Sequence, residues 1–344
     1  MPASLLGGER YTIQNFSMQC GAVLPELHLV YKTYGTLSPT RDNAILFPTW
    51  CSSNHNHNEW LIGHGRVLDP GKYFIVCVDL LGNGLSSSPS NTPPPFDRRR
   101  FPPVSILDNV RAQRRMTQDL WGIDVFALVV GRSMGAQTAL QWGSYFPDSI
   151  RSLLAISGAA RTTPHAYIFL EGVITALKLD PTWMNGDYVD QPRNGLRAVG
   201  RLYAGWSISQ AYYREGLHMA EVPAATSIED YLVRRWDSNF FRCDANDLLS
   251  QFETWQRFDV SNNEGFKGSW ENALNAITAR SIVMPGRTDL YFPPEDSAMA
   301  VALMRNAELR VIDSVWGHRA GAPNSPEKDV AFVEAALRDL LNAN

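Results

Sequence analysis

The sequence predicts an α/β fold in which a mostly parallel central sheet is flanked by helices and carries an inserted helical lid. Three observations predict it. Short, continuously apolar runs recur through residues 1–160, as strands buried on both faces of a parallel sheet require. Helical segments separate the later runs, which is the order of βαβ units. From about residue 160 to 275 the strand-like runs stop and helical patterns rich in Trp, Tyr and charge replace them; the strands then resume. The chain therefore reads as one core built from residues 1–160 and 276–344, with a lid over 161–275.

In chain order, the strand runs are YTIQNF near residue 11, LHLVYKTYG from Leu27, NAILFPT from Asn43, YFIVCVDLL from Tyr73, VFALVV from Val125 and SLLAIS from Ser152. The stretch Ser90-Asn91-Thr92-Pro93-Pro94-Pro95 excludes regular structure and reads as a surface loop, and Arg98-Arg99-Arg100 after it as a solvated face. GLRAVGRLYAGWSISQAYYREGL and SIEDYLVRRWDSNFF typify the lid, whose aromatic residues are expected mainly to pack, with a minority lining a pocket. ARSIVMPG from Ala279 and AELRVIDS from Ala307 are the returning strands, and EKDVAFVEAALRDLLNAN is an amphipathic closing helix.

Composition narrows the function classes. With 44% hydrophobic and 19% charged residues in 344, there is material for a sizeable core. A formal net charge of -4 gives nucleic acid or an anionic membrane no electrostatic hold. No run approaches the roughly 18–20 apolar residues of a bilayer span, and MPASLLGGERYTI lacks the features of a signal peptide. Cys20, Cys51, Cys77 and Cys243 are scattered without a C-x-x-C pair, so a reducing, cytoplasmic setting without disulfides is expected.

The chemistry-bearing motif is VFALVVGRSMGAQTALQWGSYFP. It holds Gly131-Arg132-Ser133-Met134-Gly135, with an apolar strand running into it and a helix-forming run after it. That is the setting of a nucleophile elbow and of the α/β-hydrolase fold: the glycines permit a tight turn that pushes Ser133 out at the head of a helix. A serine hydroxyl needs a base, and the fold orders its partners Ser, acid, His, each after a late strand. His318 is the only histidine after residue 218 and follows the last strand. Asp289 comes first after Pro285-Gly286, whereas Glu295 and Asp296 follow Pro293-Pro294 and suit the start of a helix. The oxyanion hole needs two amides. One is that of Met134; the other belongs to Trp50 or Cys51 in ILFPTWCSSNHNHNEW.

Other signals carry less. Cys51, His55 and His57 lack a second cluster to complete a metal site, so no metal is expected. Gly82-Asn83-Gly84 is followed by SSSPSNTPPP, which cannot form the helix a phosphate site needs.

Taken together, these residues resemble the homoserine O-acetyltransferase family of the α/β-hydrolase superfamily. The resemblance is carried by WLIGHGRVLDPGKYFIVCVDLLGNGLSSSPSN, by FPPVSILDNVRAQRRMTQDLWGI and by the elbow GRSMGAQTALQW; it covers most of residues 10–160 and 275–344 and, more loosely, the lid. It implies a covalent acyl-serine at Ser133, with Asp289 as acid and His318 as base, and pairing of two copies through the lid. There are departures. The family's Gly-His-Asp, whose aspartate holds the substrate ammonium, is here Gly317-His318-Arg319, and a cation repels an ammonium. Pro48-Thr49-Trp50-Cys51-Ser52-Ser53 replaces the usual oxyanion segment. Arg201 in AVGRLYAGWS is either the family's lid arginine that grips a carboxylate or a structural one.

The expectation is a serine-dependent acyl-transfer enzyme that hydrolyses a small ester or related acyl compound, needing no cofactor. Trp50, Arg201 and Arg319 would suit a polar or anionic acyl substrate. O-acetyl transfer from acyl-CoA to an alcohol is the alternative. A binding protein that kept only the fold would show a broken triad.

Overall fold

Eight strands form a single sheet in the computed structural model, which describes residues 5–342. The outermost residues of the predicted core, 1–4 and 343–344, lie outside the described residues. The strands are β1 Glu9–Ser17, β2 Val23–Tyr34, β3 Ala44–Pro48, β4 Phe74–Val78, β5 Phe126–Arg132, β6 Ile150–Ile156, β7 Arg280–Met284 and β8 Ala307–Leu309. Their spatial order is β1-β2-β4-β3-β5-β6-β7-β8. β1 pairs β2 and β2 pairs β4 antiparallel; every other pairing is parallel. The order reverses at β3, whose neighbours are β4 and β5. That makes the carboxyl ends of β3 and β5 the crevice where open α/β sheets bind ligands.

Alternation along the apolar runs sorts side chains onto the two faces. In β3, Ala44 and Leu46 join one hydrophobic cluster while Ile45 and Phe47 join the other; in β4, Val76 and Val78 face away from Ile75 and Cys77. One face is covered by the closing helix Glu327–Leu341, which contributes Val333, Leu337 and Leu340. The other is covered by helices Ile106–Trp121 and Met134–Tyr145. The first of these starts at a capping box, with Ser105 accepting from the Asp108 amide and Asp108 reaching back. It stops at Gly122 in the left-handed region, φ 59°.

Between β6 and β7 the chain leaves the sheet and runs through helices that include Pro164–Lys178, Arg193–Trp206 and Ala245–Gln256. Phe169, Leu170, Val199 and Trp255 belong to the same cluster as Val110 and Leu140, so the helical block continues the core. An isolated bridge between Arg161 and Asp259 ties the base of this excursion, ahead of residue 275. The residues after it return to the sheet layer, where helix Trp270–Asn275 packs against Met134–Tyr145 and buries Ala273 and Leu274. The three-arginine run is more than a solvated face. Arg99 and Arg100 pair with Asp187, and Arg98 donates to the Tyr188 carbonyl, so the proline-rich loop is pinned to the lid. No helix among the described residues is long and apolar enough to cross a membrane.

Candidate active site

The turn after β5 is closed by atoms that leave no space for a side chain. A Cβ on Gly131 would lie 2.0 Å from the Gly135 carbonyl oxygen, and one on Gly135 would lie 2.7 Å from that of Pro48. Gly158 is part of the same packing, since its Cβ would meet that of Ala136 at 2.5 Å; nothing in the sequence pattern marks it. Ser133 sits at the bend with φ 54° and ψ -123°, a conformation that costs a non-glycine residue about 1–3 kcal/mol. Its amide donates to the Ile156 carbonyl at 2.9 Å, so the neighbouring strand holds the bend.

Three side chains from three strand ends then meet in a row. His318 Nε2 lies 3.0 Å from Ser133 Oγ, and His318 Nδ1 lies 2.8 Å from Asp289 Oδ2. The other carboxylate oxygen, Oδ1, accepts from the amides of Tyr291 at 2.8 Å and Phe292 at 3.2 Å. All three residues are buried. The rings of Tyr291 and Phe292 pack on the imidazole with centroids at 4.9 and 5.6 Å. His318 is held by its backbone as well: its amide donates to the Ser207 carbonyl at 2.9 Å, and its carbonyl accepts from Arg132 Nη2 at 2.6 Å. Burial pushes the imidazole pKa below its ordinary value, Asp289 pulls it back, and Arg132 pushes it further down.

On the oxyanion side the amides of Trp50 and Cys51 differ in their partners. The Trp50 amide donates to Ser53 Oγ at 2.8 Å, and the Ser52 amide donates to Gln251 Oε1 at 2.7 Å. The Cys51 amide between them has no partner among the described residues. The Trp50 amide is thus engaged within its own loop, while its ring stands in the cavity wall. Met134 heads its helix, so its amide has no intrahelical acceptor. Burial raises the Cys51 thiol pKa, which opposes a thiolate there.

These groups open onto a cavity of about 240 Å³. Its wall includes Trp50, Tyr203, Trp236, Trp255, Tyr291 and Arg319. Of the lid aromatics, Tyr203, Trp236 and Trp255 line the cavity, whereas Tyr212 and Tyr231 are fully buried elsewhere. Arg201 is not among the lining residues. Its guanidinium donates through Nη1 and Nη2 to Glu229 and through Nη2 to the buried Asp237, as a structural lid arginine would. Arg319 does line the cavity, but it donates to Glu221 at 2.8 Å. Burial alone would raise the Glu221 pKa; Arg319, Tyr212 and Arg235 outweigh it and hold the carboxyl below its usual range.

The sequence reading missed Arg132, Arg235, Asn239 and Arg242 in the wall. Arg132 was visible as the variable position of the G-x-S-x-G. Arg235 and Trp236 lie on a π-helical turn, Leu232–Asp237, whose register no 3.6-residue periodicity shows. No group of three or more His, Cys, Asp or Glu among the described residues could hold a metal ion, and His55 is fully buried with Nδ1 2.7 Å from Asp79 Oδ2.

Comparison with known proteins places this arrangement. A model of the family described as alpha/beta hydrolase fold matches residues 45–320. An ethyl acetate hydrolase of Pseudomonas veronii is 35% identical, over 97% of this chain and 95% of its own. A homoserine O-acetyltransferase of Bradyrhizobium diazoefficiens is 33% identical, over 94% of this chain and 89% of its own. The crystal structure of an acetylester hydrolase from Corynebacterium glutamicum superposes with a TM-score of 0.94 at 34% identity, covering 98% of this chain and 97% of that one.

Proposed function

The chain belongs to the alpha/beta hydrolase fold family, and from that premise we propose that it hydrolyses small esters through an acyl-serine intermediate. The observation that carries the reading is the hydrogen-bonded row Ser133–His318–Asp289 at the floor of a small cavity. His318 Nε2 takes the Ser133 proton as Oγ attacks the ester carbonyl. The amides of Met134 and Cys51 receive the oxyanion. On collapse, His318 returns the proton to the departing alcohol. Water then enters and loses a proton to His318 as its oxygen bonds the acyl carbon; the bond to Oγ breaks, the acid leaves and His318 returns the proton to Ser133 Oγ. Asp289 keeps Nδ1 protonated throughout, so that Nε2 faces the serine as an acceptor.

Hydrolysis is favoured over transfer to homoserine because, among the described residues, the cavity wall has no carboxylate to hold an ammonium, and Arg319 follows His318 where the family resemblance implies an aspartate. Transfer from acyl-CoA to an alcohol is the second reading, supported by the acetyltransferase relatives. The test is the product. Wild type should release acetate from ethyl acetate or p-nitrophenyl acetate, and Ser133→Ala should abolish it; efficient acetylation of homoserine from acetyl-CoA would reverse the preference. Neither cofactor nor metal enters this scheme. Four free cysteines support a reducing, cytoplasmic setting. Exposed Ile168, Leu179 and Met184 on the lid side support pairing of two copies there.

A further inference from the structure

Among the described residues, four guanidinium groups line the cavity, those of Arg132, Arg235, Arg242 and Arg319, and no carboxylate does. The acids behind the wall do not balance them. Glu221 alone serves both Arg235, at 2.9 Å, and Arg319, at 2.8 Å. Among the described residues Arg242 donates only to oxygens of Asn239. Arg242 also borders an adjoining groove with Asp244 and Asp247, but the carboxylates there accept from Tyr188, Gln191 and Ser90, and no ion pair joins them to Arg242 among the described residues. Asp289 stands behind His318. Among the described residues, only Arg235 and Arg319 of these four cations form ion pairs, both with Glu221, in a chain whose formal net charge is -4.

Arg132 makes the imbalance most pointed. Its side chain is buried, with the residue only 5% exposed. The guanidinium stacks over Trp50 at 5.4 Å, no carboxylate forms an ion pair with it, and its Nε has no hydrogen-bond partner among the described residues. Burial pushes its pKa down to about 10, so it remains a cation at neutral pH. A buried cation that has the field of Asp289 beside it but no ion pair of its own is costly unless an anion arrives to meet it.

We propose that the preferred substrates are small esters that carry a carboxylate, read by Arg132 in the cavity wall and Arg242 at its exposed rim. The inference rests on the ester-hydrolysing reading of Ser133. It is tested with ester pairs of matched shape that differ in charge. Monoethyl succinate against ethyl isohexanoate puts the charge on the acyl side; acetoxyacetate against isobutyl acetate puts it on the alcohol side. Wild type should favour the charged member of at least one pair by ~10-fold or more in kcat/KM, mostly through KM, as a charge-assisted contact implies. Arg132→Met and Arg242→Gln should each lower that ratio. The ratio is internal to each protein, so a poorly folded Arg132 variant does not mimic the result, and Arg242→Gln tests it at an exposed position.

A ratio near or below one in both pairs, with the neutral esters still turned over, overturns the proposal and leaves the hydrolase reading standing. Failure to turn over any ester removes both. Preference for acetyl-CoA, whose charges lie far from its acyl carbon, over both carboxylate esters would place charge reading outside the cavity and also overturn the proposal.

Discussion

Replacing Asp289 with Asn tests the proton logic of the site, because the carboxylate has two distinct obligations. Oδ1 accepts from two backbone amides, those of Tyr291 and Phe292, and Oδ2 faces His318 Nδ1 at 2.8 Å. An amide can offer its single oxygen to only one side. Turning the NH2 toward two buried amide donors would leave both unsatisfied, at about 1–3 kcal/mol each. The oxygen therefore stays with the amides and the NH2 points at Nδ1. His318 must then accept at Nδ1 and carry its proton on Nε2, where it cannot take the Ser133 proton. A trapped tautomer of this kind costs roughly 10⁴-fold in kcat, about 5.5 kcal/mol of barrier. The assay is steady-state hydrolysis of p-nitrophenyl acetate by purified Asp289→Asn, with circular dichroism showing the fold intact. Asp296→Asn is the control, since that residue opens the helix Pro294–Val301 and makes no hydrogen bond to His318; its kcat should stay within about twofold of wild type, as for a residue outside the row. If Asp289→Asn lost less than about tenfold, the orienting role of Asp289 would be wrong.

Two further outcomes follow from the geometry. The base must be neutral imidazole, and burial lowers the His318 pKa below the ordinary 6.5, so kcat/KM should rise with pH through a limb below that value and be flat above it; a limb above pH 7 in a pH–rate profile would contradict the buried, Arg132-facing imidazole. Arg201→Gln should leave KM within about twofold while lowering stability by roughly 1 kcal/mol in denaturant melts, since its partners are Glu229 and Asp237. A tenfold rise in KM would return Arg201 to the substrate.

Much of this site was legible before any fold was known, because the features involved are local or ordered along the chain. Gly131 and Gly135 announce a bend that only glycine tolerates, and the strand and helix on either side are visible as apolar period and helix-forming run. Asp289 and His318 could be chosen by elimination, as each is the first suitable residue after a late strand. The weaker strand signals also held: β8 spans only Ala307–Leu309, yet the chain beyond it still delivers His318.

What the sequence left open depended on contacts that only the fold makes. Arg201 reads as either a carboxylate-gripping or a structural arginine and Arg319 as a cation beside the base; Glu229 and Asp237 hold the first, while Glu221 meets the second at the cavity wall. Trp50 and Cys51 are adjacent residues of one loop, and only the positions of Ser53 and Gln251 decide which amide is free. The sequence by itself determined the class of fold, the elbow and the order of the reacting side chains, since backbone sterics and hydrophobic periodicity are written locally. Tertiary structure alone decided which charges are neutralised and which face the cavity, because that depends on partners far apart in the chain: 98 residues separate Arg319 from Glu221, and 186 separate Arg132 from the His318 carbonyl. Arg132, visible in the motif from the start, became a buried cation without a paired carboxylate only once the fold had placed its neighbours.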